Sequence, residues 1–204
     1  KKQSGGRGKF ADIIFEMGPA MPNENGIIQD GLQFENAITG GSIPREFIPS
    51  VEKGFKQAMK NGPLAGYEVQ SLFVKLIDGS FHDVDSDQLS FELAAKMGFR
   101  KAALQAKPVI LEPIMKLEIV TPDDYTGSIV GDLNRRRGVM EGMDAKAGAQ
   151  VIKAKVPLSE MFGYVTDLRT MSSGRATSSM EFNSFQPVPS GVSKEIIEKA
   201  NGGE

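Results

Sequence analysis

The order of strand and helix signals between residues 109 and 185 restricts the possible folds more than any other feature of this sequence. Four segments are rich in strand-forming apolar residues, and two segments with apolar residues at helical spacing separate them. The resulting order, β-α-β-β-α-β, is typical of the ferredoxin-like fold. The predicted elements are strands at 109–120, 139–143, 149–156 and 175–185 and helices at 121–138 and 157–174.

The first half of the chain predicts a second α+β unit. Strands are expected at 10–17, 32–38 and 67–77, and helices at 42–62 and 85–107. Asp85 and Gln88 have capping-box spacing at the start of the second helix. The apolar residues that follow at helical spacing are Leu89, Leu93, Ala94, Met97 and Leu104. Pro108 ends that helix. We divide the chain into domains at 1–108 and 109–204, because the ferredoxin-like unit begins there, and the second domain includes a helix from about Ser190.

Composition limits the classes of protein to which these units can belong. The chain has no cysteine, which excludes disulfides, thiolate zinc sites and cysteine nucleophiles and fits a cytoplasmic protein. No apolar run approaches the roughly 18 residues of a membrane span, so we expect no membrane partner. The net charge is −2, and without the four cations of residues 1–9 the chain has 20 basic and 26 acidic residues. A polyanion partner must therefore be bound by a local group of basic residues and not by a broadly positive surface.

The opening stretch, KKQSGGRGKF, is cationic and rich in glycine. It does not fit a P-loop, because its glycines precede the first strand and Phe10 stands where that motif needs serine or threonine. Successive glycine amides beside Arg7 can still bind phosphate, since small residues let a polyanion backbone come close. A disordered segment without a role is the alternative interpretation.

His82 is the only histidine and lies in the sequence GSFHDVD, between a predicted strand and a predicted helix. Acid–base catalysis is not indicated, because no second histidine and no evident nucleophile accompany it. Three nearby aspartates have the spacing of calcium-loop ligands, but Gln88 and Ala94 stand where such a loop needs Gly and Glu. The pattern alone favours a surface histidine without a role. The aspartates are Asp83, Asp85 and Asp87.

A run of three arginines, Arg135, Arg136 and Arg137, closes the predicted helix at 121–138. Cations are favourable in the last turn of a helix, and Gly138 is expected to cap it. Solvated charge is the default interpretation of this run, and contact with a phosphate is the alternative.

Six stretches together resemble the bacterial translation elongation factor G family. They occur in register from the first residue to the terminal helix, and they match the C-terminal part of the family, its fourth and fifth domains. The resemblance implies an α+β fold of two domains. The first would be ribosomal protein S5 domain 2-like, with a left-handed βαβ crossover against the usual right-handed rule, and the second ferredoxin-like. The stretches are QSGGRGKF, GPLAGYEV, GSFHDVDSDQLSF, KPVILEPIMKLEIVTPDDYTG, GDLNRRRG and PLSEMFGYVTDLRTMSSGRA.

The same resemblance implies a function in translocation. In the family the fourth domain enters the decoding region of the small ribosomal subunit while transfer RNA and messenger RNA move, and the fifth domain faces large-subunit RNA. Two loops build the tip of the fourth domain, and we expect the tip residues to contact RNA, with the three arginines as secondary candidates. The tip residues correspond here to Ser4, Gly5, Gly6, Arg7, Gly8, His82 and Asp83.

GTP hydrolysis belongs, in this family, to an N-terminal domain that the sequence lacks. The resemblance therefore implies a fragment without catalytic, cofactor-binding or metal-binding residues, whose parent protein binds GTP and Mg²⁺. The expected partners are the ribosomal RNA of both subunits and the tRNA–mRNA complex, with no membrane and no DNA. The expected form is a cytoplasmic monomer.

Several alternatives stay open. Two departures from the family pattern, Lys9-Phe10 and Asp87-Gln88, are compatible with a paralogue that has altered GTP dependence or a recycling role. A paralogous ribosome-protection factor that removes tetracycline is a further alternative, although SGGRG and GSFHDVD fit elongation factor G better. A stand-alone RNA-binding module would need exposed aromatics on its central strands, and the strand at 149–156 has none. A small phosphohydrolase would need a loop of Gly and Arg after the first strand, where this chain has Thr121-Pro122-Asp123-Asp124.

Overall fold

The computed structural model describes residues 8–202 of the chain, and its contacts divide them into two compact units. One unit consists of Val109–Ser193, and the other combines the described residues of 1–108 with those of 194–204. The sequence assigns the terminal helix to the second domain, whereas the contacts group its residues from Lys194 onward with the first unit. No helix within 8–202 is long and apolar enough to cross a membrane.

A mixed sheet of three strands forms the centre of the first unit. Its central strand, β3, pairs antiparallel with β1 and parallel with β2. Helix α1 connects the parallel pair, as the predicted βαβ crossover requires, and the hand of that crossover stays a prediction. The elements are β1 (Asp12–Pro19), β2 (Leu32–Asn36), α1 (Ile48–Met59), β3 (Leu72–Ser80) and α2 (Gln88–Gln105).

The predicted start of β3 at Tyr67 is wrong by five residues. The segment before the strand bonds to the end of α1 instead of to the sheet: the Val69 N–H donates to the Met59 carbonyl at 2.7 Å. Ser71 then takes a positive φ of 52°, which interrupts an extended chain. The strand consequently begins at Leu72 and continues to Ser80, beside the start of β1.

Helix α2 carries two apolar rows, and only one of them is buried. Phe91, Ala95, Phe99 and Ala103 recur every fourth residue and pack into the core of the first unit. The apolar row predicted from the sequence lies on the opposite face of the helix. Its residues Leu89, Leu93, Met97 and Leu104 are exposed. Two rows at the same helical period cannot be ranked by periodicity, because the choice depends on where the sheet lies.

The cap of α2 also differs from the prediction. Asp87, not Asp85, is the N-cap, and its Oδ1 accepts hydrogen bonds from the Ser90 N–H at 2.7 Å and the Ser90 hydroxyl at 2.6 Å. The capping box of Asp85 and Gln88 is therefore wrong. Asp85 remains outside the helix, where it makes other contacts.

The second unit confirms the ferredoxin-like prediction. Its sheet has the order β5-β6-β4-β7, and all neighbouring strands are antiparallel. Helices α3 and α4 pack on this sheet through a core that includes Ile129, Leu133 and Leu168. The elements are β4 (Leu111–Pro122), α3 (Thr126–Arg135), β5 (Val139–Lys146), β6 (Ala149–Pro157), α4 (Tyr164–Met171) and β7 (Thr177–Pro187), followed by α5 (Ser190–Ala200).

Helix α4 is shorter than the helix predicted at 157–174. A 3₁₀ turn at Leu158–Glu160 precedes it, and Gly163 has a φ of 70°, so the α-helix begins only at Tyr164. This break rotates the apolar residues relative to a continuous helix. Phe162 and Val165 are consequently exposed instead of sharing a buried face with Leu168.

Gly54 lies where α1 packs closely against α2. A Cβ at this position would lie 2.5 Å from the Glu92 carbonyl oxygen and 2.7 Å from the Ala95 Cβ. We expect Gly54→Ala to lower the free energy of unfolding by about 1–3 kcal/mol, because overpacking outweighs the helix propensity of alanine. The matched control is Gly131→Ala in α3, where nothing lies near the new Cβ.

The control should raise the free energy of unfolding by about 0.5–1 kcal/mol, the usual gain for alanine over glycine in a helix. Urea denaturation of both variants, followed by circular dichroism, measures the difference. Stabilisation of equal size at both positions would contradict the close approach at Gly54.

Candidate nucleic-acid interface

Two segments that are distant in sequence meet at one end of the first unit. The Gly8 N–H donates a hydrogen bond to Asp85 Oδ1 at 2.8 Å, and the Phe10 N–H donates to the Asp85 carbonyl at 2.8 Å. Asp85 belongs to the segment at 81–86 between β3 and α2, called here the His82 turn. Of the predicted first loop, Gly8 is thus beside the His82 turn, whereas Ser4, Gly5, Gly6 and Arg7 lie outside the described residues.

A buried serine lies between the same two segments. Ser86 is 5% exposed, and its hydroxyl accepts a hydrogen bond from the His82 N–H at 2.8 Å and donates one to the Phe10 carbonyl at 2.7 Å. Its own N–H donates to the His82 carbonyl at 2.9 Å. One side chain therefore joins the backbone of the His82 turn to the backbone that enters β1.

The imidazole of His82 projects into solvent from this turn. Its side chain is 64% exposed, and its Nδ1 lies 3.7 Å from Asp85 Oδ2. The ring meets that of Phe10 edge-on, with centroids 6.1 Å apart. Asp83, the next residue, is exposed as well. An exposed imidazole can donate and accept hydrogen bonds.

The three arginines predicted as secondary contacts lie in the second unit, and they differ in accessibility. The side chain of Arg135 is 76% exposed, whereas that of Arg136 is 10% exposed. Arg136 Nε donates to Asp132 Oδ2 at 2.8 Å and its Nη1 to the Glu160 carbonyl at 2.6 Å. Its Nη2 donates to a carboxylate oxygen of Asp167. The guanidinium also stacks on Tyr164, 5.1 Å from the ring centroid.

Arg137 is likewise engaged within the protein. Its Nη1 and Nη2 donate to the two carboxylate oxygens of Glu112 at 2.8 and 3.0 Å, and its Nε donates to Glu160 at 3.0 Å. Hydrogen bonds to Glu112 raise the pKa of Arg137 above its ordinary value, although partial burial acts to lower it. Arg137, not Gly138, has the left-handed conformation that ends α3, with a φ of 60°.

RNA contact by these arginines, the secondary candidates, therefore stays a prediction, and the structure shows how accessible each of them is. Arg136 and Arg137 stabilise the second unit through ion pairs, and Arg135 is the most exposed of the three. Asp132 lies four residues before Arg136, at helical spacing. The other partners had no local signal in the sequence, because Asp167, Glu160 and Glu112 lie 23 to 31 residues away along the chain.

Tyr164 completes the buried arginine cluster. Burial, followed by the charge of Asp132, raises the pKa of its phenol well above the ordinary value, while Arg136 acts in the opposite direction. Its hydroxyl has no hydrogen-bond partner within the described part of the chain. The phenol therefore remains neutral at physiological pH and acts here through its ring.

By its fold, the chain is a two-unit α+β protein with a mixed three-stranded sheet in one unit and a ferredoxin-like sheet in the other. Residues 1–107 match the family model for elongation factor G, domain IV, and residues 109–196 match the model for the elongation factor G C-terminus. The chain therefore belongs to the elongation factor G family, which confirms the resemblance seen in the sequence.

Similar proteins agree with this assignment. Elongation factor G of Amoebophilus asiaticus and that of Cytophaga hutchinsonii are each 62% identical to this chain over 99% of its length. The chain spans 28% of the length of each of these relatives. A crystal structure of a Thermus thermophilus protein covers 98% of this chain with a TM-score of 0.84 and 34% identity, and the match takes up 29% of that protein.

Proposed function

We propose that this chain is the part of a translational GTPase that promotes movement of tRNA and mRNA on the ribosome. The observation that carries the proposal is the meeting of the Gly8 segment with the His82 turn, in a chain that belongs to the elongation factor G family. These are the two loops that the family resemblance assigns to the tip of domain IV. The tip is proposed to enter the decoding region of the small subunit.

The chemistry of the tip suits RNA without reading its sequence. Glycines allow a close approach of the protein backbone to phosphates, and an exposed imidazole can bond to phosphate or to a 2′-hydroxyl. Arg7 would add a guanidinium for phosphate. Occupation of the decoding region by this tip would bias the ribosome toward the translocated state through its higher affinity for that state.

Other parts of the proposed function lie beyond this tip. GTP hydrolysis, with GTP and Mg²⁺, is assigned to a part of the parent protein outside these 204 residues, since the chain spans 28% of its relatives. The second unit is proposed to face large-subunit RNA, with the exposed Arg135 as its candidate contact. The parent protein would act as a monomer in the cytoplasm.

RNA binding on the open sheet face of the second unit is less well supported. The central strands β4 and β6 present lysines that pair with acids on neighbouring strands, such as Lys155 with Glu141 at 2.9 Å and Lys116 with Glu181 at 3.9 Å. Exposed phenylalanines, Phe182 and Phe185, occur on the edge strand β7. A base-stacking platform needs its aromatics on the central strands.

The test replaces His82 in the full-length factor that contains this chain. His82→Ala should slow single-round translocation roughly tenfold to a hundredfold, the effect of losing charge-assisted hydrogen bonds made in the transition state. Ribosome-stimulated GTP hydrolysis should stay within about twofold of the parent rate, because the change affects only the step that the tip promotes. A stopped-flow assay of mRNA movement and release of inorganic phosphate measure the two rates.

Tyr67→Ala is the matched control, since Tyr67 is also exposed but belongs to the loop between α1 and β3. The control variant should translocate at the parent rate. An unchanged translocation rate for His82→Ala would overturn the proposed role of the tip.

A further inference from the structure

We propose that Asp85 and Ser86 are positioning residues, which hold the Gly8–Phe10 segment against the His82 turn so that both loops meet RNA as one surface. This inference rests on the proposed function of the tip. It assigns a role to two residues that make no contact with RNA in the proposal. The pair is called the Asp85–Ser86 bridge below.

Ser86 supplies the buried half of the bridge. Its hydroxyl uses both its donor and its acceptor capacity between the two segments, bonding the Phe10 carbonyl and the His82 N–H. Alanine at this position would leave a backbone carbonyl and a backbone N–H without these bonds in a site that is almost closed to water. The two segments would then lose the side chain that sets the position of His82.

Asp85 supplies the second half of the bridge. Its carboxylate accepts the Gly8 N–H through Oδ1, while Oδ2 faces the imidazole of His82. Its main-chain carbonyl accepts the Phe10 N–H. The carboxylate thus fixes the residue that directly follows Arg7, and bonds to an ionised acceptor are stronger than neutral ones.

Helix capping does not account for these contacts. Asp87 and Ser90 cap α2 through two hydrogen bonds of their own, so neither Asp85 nor Ser86 is required for that purpose. At the same end of the sheet, a separate hydrogen bond joins the end of β3 to the start of β1: the Ser80 hydroxyl donates to Asp12 Oδ2 at 3.1 Å. The contacts of Asp85 and Ser86 lead instead to the first loop and to the His82 turn.

A double-mutant cycle in the full-length factor tests the bridge. Ser86→Ala and Asp85→Ala should each slow single-round translocation by about threefold or more and leave ribosome-stimulated GTP hydrolysis within about twofold of the parent rate. When it is added to His82→Ala, either change should slow translocation by less than about twofold more, because the effects of residues that act through one another are not additive. Asp85 is the second variant because its side chain is partly exposed and so better tolerates truncation.

Ser90→Ala is the matched control, a buried serine four residues further on that bonds to Asp87 only within the helix cap. It should lower the melting temperature without slowing translocation, which separates positioning from a general loss of stability. If His82→Ala itself has no effect, the proposed function of the tip fails. If His82→Ala slows translocation, two results would overturn the bridge. One is an unchanged translocation rate for Asp85→Ala and for any folded Ser86→Ala. The other is a double variant whose slowing equals the product of the slowing by His82→Ala and by the second change.

Discussion

Replacing Arg136 with alanine should lower the free energy of unfolding of the second unit by about 3–5 kcal/mol, the usual cost of removing one partner of a buried ion pair. Asp132, whose side chain is 4% exposed, would lose the buried partner of its carboxylate. The carbonyl of Glu160 and the face of Tyr164 would lose the guanidinium as well. The large effect follows because the buried carboxylate of Asp132 would keep only the bond from Arg135, whose side chain is exposed.

Arg135→Ala is the matched control, since the neighbouring arginine also bonds to Asp132 but from an exposed position. It should change the free energy of unfolding by at most about 1 kcal/mol. The chain has no tryptophan, so urea unfolding is best followed by circular dichroism. Equal effects at the two arginines would contradict the buried role of Arg136.

The Phe55→Ala variant should destabilise the first unit by about 3–5 kcal/mol, as expected for truncation of a fully buried phenylalanine. Phe55 lies on the inner face of α1 in the core that α2 and the sheet share. Its ring meets that of Phe15 from β1 edge-on, with centroids 4.9 Å apart. Truncation would therefore open a cavity where helix α1 contacts the sheet, in addition to losing apolar burial.

Phe162→Ala is the control, because Phe162 is 86% exposed and its removal opens no cavity. It should change the free energy of unfolding by less than about 0.5 kcal/mol. A Phe15→Ala and Phe55→Ala cycle should show coupling of about 0.5–1.5 kcal/mol, the size of an aromatic pair. Additive effects of the two truncations would contradict the ring contact.

Local patterns predicted the elements of the second unit well. Each strand and helix there has its own period and its own turn residues, so the order from β4 to β7 follows from short stretches. The predictions failed where a choice depended on neighbours. The strand expected from Tyr67 starts at Leu72, since the preceding residues bond to the end of α1, and α2 buries Phe91 and Phe99 instead of the row at Leu89.

The functional prediction shows a similar limit. His82 and the glycine-rich opening were noticed in the residues themselves, but their expected role as tip residues came from the family resemblance, because a single histidine and a short loop have no periodic signal of their own. Asp85 was assigned to a helix cap and Ser86 to no role. The arginine run was interpreted as solvated charge or phosphate contact, and the structure turns Arg136 inward to acids on α3 and α4.

The α+β class, the ferredoxin-like order of the second half and the family could all be predicted from the residues alone. These properties depend on residues close together along the chain or on ordered motifs that need no coordinates. The packed structure was needed to show which face of α2 is buried, which arginine is most exposed and which residues join the Gly8–Phe10 segment to the His82 turn. Gly8 and Asp85 are 77 residues apart, and they meet because β1 pairs antiparallel with β3 from Asp12 and Ser80 onward. Such a contact depends on strand register, which local patterns restrict but do not set.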